Sequence, residues 1–192
     1  MTNLSLDNFE VELQNRINSY LNSNLNSNNQ IEQAIKFALS APGKRVRPTL
    51  IYLVGDFYNV ALENLDSLAL ATEIIHTYSL VHDDLPCMDD DDLRRGQPTL
   101  HKKYSEATAV LAGDAMQSLA IEIILKDDKL SNQLKVSIIK LLMEKIGYKG
   151  MILGQALDIN FEQESVDKEQ ILQMNYLKTG LLIEFSILAP LM

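Results

Sequence analysis

Residues 62–84 hold the pattern that limits the fold most. Leu65, Leu68, Leu70, Ala71, Ile74, Ile75, Leu80 and Val81 place apolar side chains on nearly every face of one helix. Such a helix sits inside a domain and needs other elements around it. The chain has 192 residues, 46% of them apolar, which is enough for one sizeable core. It is read as a single domain over residues 1–192. His76 lies inside this helix, and Asp83 follows about two turns on and about 20° round the axis. The two therefore point along one face.

The same helix runs into HDDLPCMDDDDLRR, residues 82–95. Asp83, Asp84, Asp89, Asp90, Asp91 and Asp92 crowd one short segment, and Arg94 and Arg95 follow at once. Like charges so close repel, and packing gives no reason for them. A divalent cation offsets the repulsion, and Mg²⁺ prefers carboxylates with phosphate oxygens and water. The arginines supply forked donors that match phosphate. A calcium loop of the EF-hand type fails, because counting from Asp89 puts Arg94 where that loop needs glycine.

The remaining segments also read as helices. Leu6, Phe9, Leu13, Ile17 and Tyr20 recur at helical spacing after Ser5, a candidate N-cap. Residues 22–29 are a polar break. Ile31, Ala34, Ile35, Ala38 and Leu39 mark a second helix that ends at Ala41-Pro42-Gly43. Pro48 fits the first turn of a third, whose run Leu50 to Tyr58 is expected to be buried. Lys44, Arg45 and Arg47 then stand at a helix N-terminus, which favours anions. Residues 107–126 form a mostly apolar helix in which Asp114 needs a partner. Ser131 caps a helix carrying Leu134, Ile138, Leu141 and Leu142, with Gly147 as its stop. Gly147, Gly150 and Gly154 allow another backbone to come close, and Gln155 and Asp158 share a face. Asp167 with Gln170 is a capping box for a last helix with Ile171, Met174, Leu177, Leu181, Leu182 and Phe185, interrupted by Lys178 and Thr179. No strand pattern competes, and the fold class is all-α.

A net charge of −9 argues against a general nucleic-acid binder. Cys87 is the only cysteine, so no disulfide forms within the chain, which suits a reducing compartment. The N-terminus lacks the basic start and apolar block of a signal peptide. No run approaches the roughly 18 consecutive apolar residues of a membrane span. A soluble, cytoplasmic protein without a membrane span is expected.

The ordered set GKRVRP, HDDLPCMDDDDLRRGQPTLH, AVLAGDA, GQALDI and LKTG resembles the trans-prenyl diphosphate synthases, the polyprenyl synthetase family. The likeness is greatest to its bacterial farnesyl-type members and covers nearly the whole chain. It implies an isoprenoid-synthase-type helical bundle around a central cleft, and a homodimer. It also implies roles, position by position. Asp83, Asp84 and Asp89 match the first aspartate-rich motif, DDxxxxD, which binds the Mg²⁺ that bridges the allylic diphosphate. Arg94 matches the arginine on that diphosphate, and Arg95 one on isopentenyl diphosphate. Lys44, Arg47 and His76 match the rest of the isopentenyl diphosphate site. Lys178, Thr179 and Gln155 match positions lining the allylic side. Asp83, Asp84, Asp89, Arg94 and Lys178 are thus the expected catalytic set, while Asp90, Asp91 and Asp92 lie outside the metal positions.

The implied reaction joins isopentenyl diphosphate to dimethylallyl or geranyl diphosphate. Metals and basic residues stabilise charge on the leaving diphosphate. The isopentenyl double bond attacks the allylic cation, and a proton is lost to the departed diphosphate. An apolar cavity must exclude water, and no protein nucleophile is needed. The family carries a second motif, DDxxD, on a later helix, and nothing after Lys178-Thr179 supplies it. Asp127-Asp128 comes too early. The chain is therefore expected to be the N-terminal part of the family fold, truncated at its C-terminus and inactive or nearly so alone. A geranylgeranyl diphosphate synthase and a non-catalytic partner subunit are the alternatives, and the intact DDxxxxD opposes the second.

In this family the residues four and five places before the first aspartate, here Ser79 and Tyr78, help form the cavity floor. A tyrosine there stops growth at the C15 farnesyl product. Tyr78→Ala in a full-length enzyme is expected to lengthen the products made from dimethylallyl and isopentenyl diphosphates. Chain-length analysis checks this, and mainly C20 product from the unmodified enzyme would overturn the C15 assignment.

Overall fold

The computed structural model describes residues 6–25, 29–162 and 165–192. The all-α expectation holds. The helices are α1 (Leu6–Asn24), α2 (Gln30–Ser40), α3 (Val46–Phe57), α4 (Asp66–Asp83), α5 (Leu100–Lys103), α6 (Glu106–Lys126), α7 (Asn132–Ile146), α8 (Met151–Phe161), α9 (Lys168–Asn175) and α10 (Leu181–Leu188). By contacts the chain divides into two compact units, residues up to 49 with 69–123, and residues 50–68 with 124–192.

In the first unit, Ser5 lies outside the described residues. The break expected over 22–29 starts later, because α1 continues to Asn24. Asn and Ser in a last turn cost the helix only tenths of a kcal/mol, about 0.7 at most per residue. Asn29 caps α2 by accepting from the Glu32 N–H at 2.9 Å, and Ala34, Ile35 and Leu39 are its buried face. Helix α4 is buried on all sides, with Ala71, Ile74 and Ile75 fully enclosed, as its sequence requires. It starts at Asp66 rather than residue 62, after a separate 3₁₀ turn at Leu62–Asn64.

Arg45 ties this unit together. Its backbone takes a φ of +46°, a region uncommon for a residue with a Cβ. Its guanidinium turns into the core. Nη1 donates to the Glu73 carboxylate of α4, and Nη2 donates to the carbonyls of Leu39 and Ala41 at 2.8 Å each. Nε donates to Gln14 Oε1 on α1 at 3.2 Å. Both side chains of the Arg45–Glu73 pair are 2% exposed. The arginine supplies donors that the carbonyls at the C-terminal end of α2 otherwise lack.

The expectation of an all-helical chain misses one hairpin. β1 (Leu93–Arg94) pairs antiparallel with β2 (Gln97–Pro98). Arg95 at φ 54° and Gly96 at φ 80° form its two-residue turn. Positive φ at both positions is the type I′ pattern, which matches strand twist. Helix α6 has the length and hydropathy to cross a membrane. Yet Ala109, Ala112, Met116, Ala120, Ile123 and Ile124 on it are buried within the protein, as in a core helix. Asp114 on α6 is exposed, so water solvates it and the expected need for a partner disappears.

In the second unit, Tyr52 donates its hydroxyl to Asp66 Oδ1 at 2.7 Å, and Ser67 donates to Asp127 Oδ2 at 2.6 Å. Ser131 caps α7 and Gly147 ends it. Asp167 and Gln170 form the expected capping box. Helix α3 departs from the expectation of a buried run. Ile51 and Tyr52 are covered, but Phe57 is 78% exposed. The apolar run is wider than the single face that the fold covers. Between α9 and α10 the backbone widens into a π-helical turn at Tyr176–Gly180, and Leu182 and Phe185 beyond it are fully buried.

Removing one partner of a buried ion pair strands a charge. Arg45→Met is expected to lower the unfolding free energy by about 3–5 kcal/mol. The double variant Arg45→Met/Glu73→Leu should recover most of that loss. Urea denaturation measures both, and an unchanged midpoint for Arg45→Met would count against this account.

Candidate active site

The loop between α2 and α3 borders a cleft of about 600 Å³ lined by Pro42, Gly43, Lys44, Arg45, Val46, Arg47, Glu73, His76 and Arg95. Residue type and position at a helix start treat Lys44, Arg45 and Arg47 alike, the family likeness assigns only Lys44 and Arg47 to a substrate, and the structure gives Arg45 a separate place. Arg45 serves the core, whereas Lys44 and Arg47 line the cleft beside it. Helix α3 begins at Val46, so Arg47 lies in its first turn, where free N–H groups add positive potential. The Arg47 Nε is enclosed with no partner in the protein. Burial lowers the Arg47 pKa and the Arg95 charge lowers it further, while Glu73 opposes them.

Arg95 arrives from the turn of the hairpin. Its Nη1 donates to the Pro42 carbonyl at 2.8 Å, and its guanidinium lies directly on Gly43. A Cβ at Gly43 would meet that guanidinium, so a larger residue there would push the Arg95 side chain aside. His76 reaches the cleft from α4. Burial pushes its pKa down to about 3, with the charges of Arg47, Arg95, Arg45 and Arg94 acting in the same direction. The imidazole is therefore neutral at physiological pH and can donate to an anion without adding charge. Lys44, Arg47, His76 and Arg95 thus come together around one cavity. Asp83, two turns beyond His76, is not among the lining residues.

The aspartates sit at the C-terminal end of α4. The Asp89 N–H donates to the Asp83 carbonyl at 2.8 Å, which folds the segment back on the helix end. Asp84 is 3% exposed and is held by Arg94, whose Nε donates to Oδ1. Arg94 Nη2 also donates to Asp91 Oδ2 at 3.1 Å. Burial raises the Asp84 pKa, and the bond and charge of Arg94 pull it back. Lys102 pairs with Asp92 at 2.8 Å. Among the described residues no three carboxylate, imidazole or thiol side chains converge on a common point. Mg²⁺ that keeps waters and takes phosphate oxygens needs only one or two carboxylates, so the all-oxygen donor set of this helix end suits it.

Tyr78 is buried, with its ring edge-on to His82 at 5.8 Å. Burial, with help from the Asp83 charge, pushes its pKa up to about 12. The Ser79 hydroxyl donates to the His76 carbonyl at 2.9 Å. In the second unit, Lys178 Nζ donates to Asp158 Oδ2 at 2.5 Å, and Thr179 follows within the π-helical turn. A Cβ at Gly154 would stand 2.2 Å from the Lys178 backbone N, which is the close approach that glycine there predicts. One helical turn before Asp158, the Gln155 Nε2 is enclosed without a partner.

Three residues near these sites escape a sequence reading. Glu73 is a carboxylate inside an apolar helix, and that misfit is itself a signal. Thr99 and His101, 2% and 7% exposed, hide in what looks like an ordinary N-cap before a short helix.

A family model described as Polyprenyl synthetase matches residues 28–192. A farnesyl diphosphate synthase of Haemophilus influenzae is 44% identical over 176 residues, 90% of this chain and 60% of that protein. Geranylgeranyl pyrophosphate synthase 4 of Arabidopsis thaliana is 44% identical over 163 residues, 81% of this chain and 42% of that protein. The crystal structure of a geranyltransferase from Legionella pneumophila superposes with a TM-score of 0.92 at 42% identity, covering 97% of this chain and 66% of that one. The chain thus spans 60% or less of the length of these two curated relatives.

The neutral His76 has a consequence for acid stability. In an unfolded chain a histidine takes up its proton near pH 6.5, about three units before the folded one does at about 3. Folding stability should therefore fall as pH drops through that window and be unaffected by His76 above it. His76→Gln should flatten the acid side of a plot of melting temperature against pH. Parallel curves for the two proteins would contradict the burial argument.

Proposed function

The chain belongs to the polyprenyl synthetase family, and from that premise we propose that it serves the condensation of isopentenyl diphosphate with an allylic diphosphate to give a C15 farnesyl product. The observation that carries this reading is the cleft in which Lys44, Arg47 and Arg95 meet around a neutral His76. Arg47 is half-buried and Lys44 and Arg95 stand exposed beside it; cations gathered at one cleft repel without an anion, and a diphosphate matches them in charge and in forked geometry. Lys44, Arg47, His76 and Arg95 hold the isopentenyl diphosphate. Its double bond is left free for attack, because every one of these contacts is to the phosphate end.

Arg94 takes the allylic diphosphate, and the family likeness assigns Lys178, Thr179 and Gln155 to the same substrate. The enclosed amide of Gln155 supports a polar ligand on that side. These donors stabilise the charge that grows on the leaving diphosphate. Asp83, Asp84 and Asp89 are the residues to hold Mg²⁺, as members of this family generally do, and bound Mg²⁺ supplies further neutralisation of that diphosphate. The apolar side chains of α4 keep water away. The departed diphosphate accepts the proton that ends the step.

Tyr78 and Ser79 are the residues read as limiting product length. The full burial of Tyr78 against His82 supports a fixed wall and a C15 product. The geranylgeranyl alternative draws support from the Arabidopsis relative. The whole chain is taken as one prenyl synthase domain that pairs as a homodimer, a reading supported by the exposed Val110 and Leu111 on α6. The exposed free thiol of Cys87 fits a reducing, cytoplasmic setting.

Binding tests the reading without requiring turnover. Calorimetric titration of this chain with isopentenyl diphosphate should show saturable uptake. Arg47→Ala and Lys44→Ala should each weaken it roughly tenfold to hundredfold, as expected for losing a hydrogen-bonded charge. No uptake by the unmodified chain, or unchanged affinity in both variants, would overturn it.

A further inference from the structure

We propose that Thr99 and His101 are positioning residues which, acting through Asp91, hold Arg94 and Asp84 in their working arrangement. This rests on the diphosphate-binding reading of Arg94 given above. Asp89, Asp90, Asp91 and Asp92 repel one another, and something must keep their loop in one shape. Near α4 the backbone does so. Met88 and Asp90 donate to the Leu85 carbonyl at 2.8 and 3.1 Å, and Asp89 donates to that of Asp83 at 2.8 Å. At the far end Lys102 pairs with the exposed Asp92 carboxylate, and the backbone is held by Thr99. The Thr99 N–H donates to the Asp92 carbonyl at 3.1 Å, and its hydroxyl donates to the Asp91 carbonyl at 2.8 Å.

Thr99 is the N-cap of α5, yet its side chain makes no cap bond. A capping threonine ordinarily turns its oxygen to the first turn of its helix. Here the hydroxyl is diverted to the aspartate loop. It carries a single proton, and that proton goes to Asp91. The 3.2 Å contact between Thr99 Oγ1 and His101 Nδ1 therefore needs the imidazole as donor, which assigns His101 the Nδ1–H tautomer. Among the described residues the His101 Nε2 is enclosed without a partner, and the ring bonds to Thr99 through Nδ1.

The chain of bonds continues on the other side of Asp91. The Asp91 carboxylate accepts from Arg94 Nη2 at 3.1 Å, and Arg94 Nε donates to Asp84. A buried imidazole thereby fixes a hydroxyl, the hydroxyl fixes the Asp91 backbone, and Asp91 helps fix the guanidinium. Polar chains of this kind hold one geometry when every link is made and lose it when one is cut.

Side-chain nuclear magnetic resonance of the isotope-labelled chain gives the test, with the Arg94 Nε–H signal identified by its loss in Arg94→Lys. Thr99→Val removes the hydroxyl at constant shape, and Thr99→Ser keeps it. His101→Phe removes the donor, and His101→Asn keeps one where Nδ1 stood. Circular dichroism confirms folding in each case. Thr99→Val and His101→Phe should shift or broaden the Arg94 signal and weaken magnesium pyrophosphate binding by about tenfold in calorimetry. Thr99→Ser and His101→Asn should keep the signal and stay within about threefold of the unmodified affinity. The proposal is overturned if Thr99→Val leaves signal and affinity intact and lowers only the melting temperature, or if Thr99→Ser fails alike. Should Thr99→Val not fold, His101→Phe set against His101→Asn decides. If the unmodified chain takes up no magnesium pyrophosphate, the functional reading falls, and the Arg94 signal alone still decides this one.

Discussion

The buried pair of Arg45 and Glu73 is the constraint on which the cleft depends. Taking two charges out of water is costly, and the pair is tolerated only because the remaining donors are satisfied too. Arg45 meets that condition with the carbonyls of Leu39 and Ala41 and with Gln14. A lysine would not, since a point charge cannot serve a planar fan of acceptors. The left-handed backbone at Arg45 is the local cost, and it has a local use. Reversing the chain at that residue sends its side chain inward while Lys44 and Arg47 line the cleft.

The cleft is the opposite kind of electrostatic object. Arg47 is half-buried with Nε unpartnered among the described residues, and the Arg95 guanidinium lies over Gly43. The positive charges are drawn together by backbone geometry more than by mutual partners. Glu73 offsets part of the field but is committed to Arg45. His76 responds by staying neutral. Such a cluster of cations suits the multiply charged anion proposed for it, and a single carboxylate would leave much of it unpaired.

Hydrophobic periodicity made most helices legible, because burial of α4, α2 and α7 is what forms them. Caps at Ser131 and Asp167 were readable for the same reason, since one local bond decides each. What escaped depends on differences that composition does not carry. The family likeness sets Lys44 and Arg47 apart from Arg45, but only the backbone turn shows that Arg45 faces the core. The hairpin was hidden because its turn uses Arg95 at positive φ in place of the Asn or Gly that signals a type I′ turn. Phe57 was read as buried because a run of apolar residues does not say which face is covered. Asp114 was given a partner because an apolar helix around a carboxylate does not reveal that it faces water. The Asp84–Arg94 bond was not foreseen because the two carry separate roles in the family motif.

The widened turn at Tyr176–Gly180 works as a phase adjuster in one long helical rod. An α-helix advances about 100° per residue, and a π-turn accommodates one residue more than the regular winding allows. Deleting a single residue there would restore uninterrupted α-helical bonding, which is locally favourable. Rewinding the same residues as regular α-helix with none deleted would instead rotate everything downstream by about 100°, swinging Leu182 and Phe185 away from the interior. The widened turn that carries Lys178 and Thr179 is thus kept open by the packing of the buried residues beyond it.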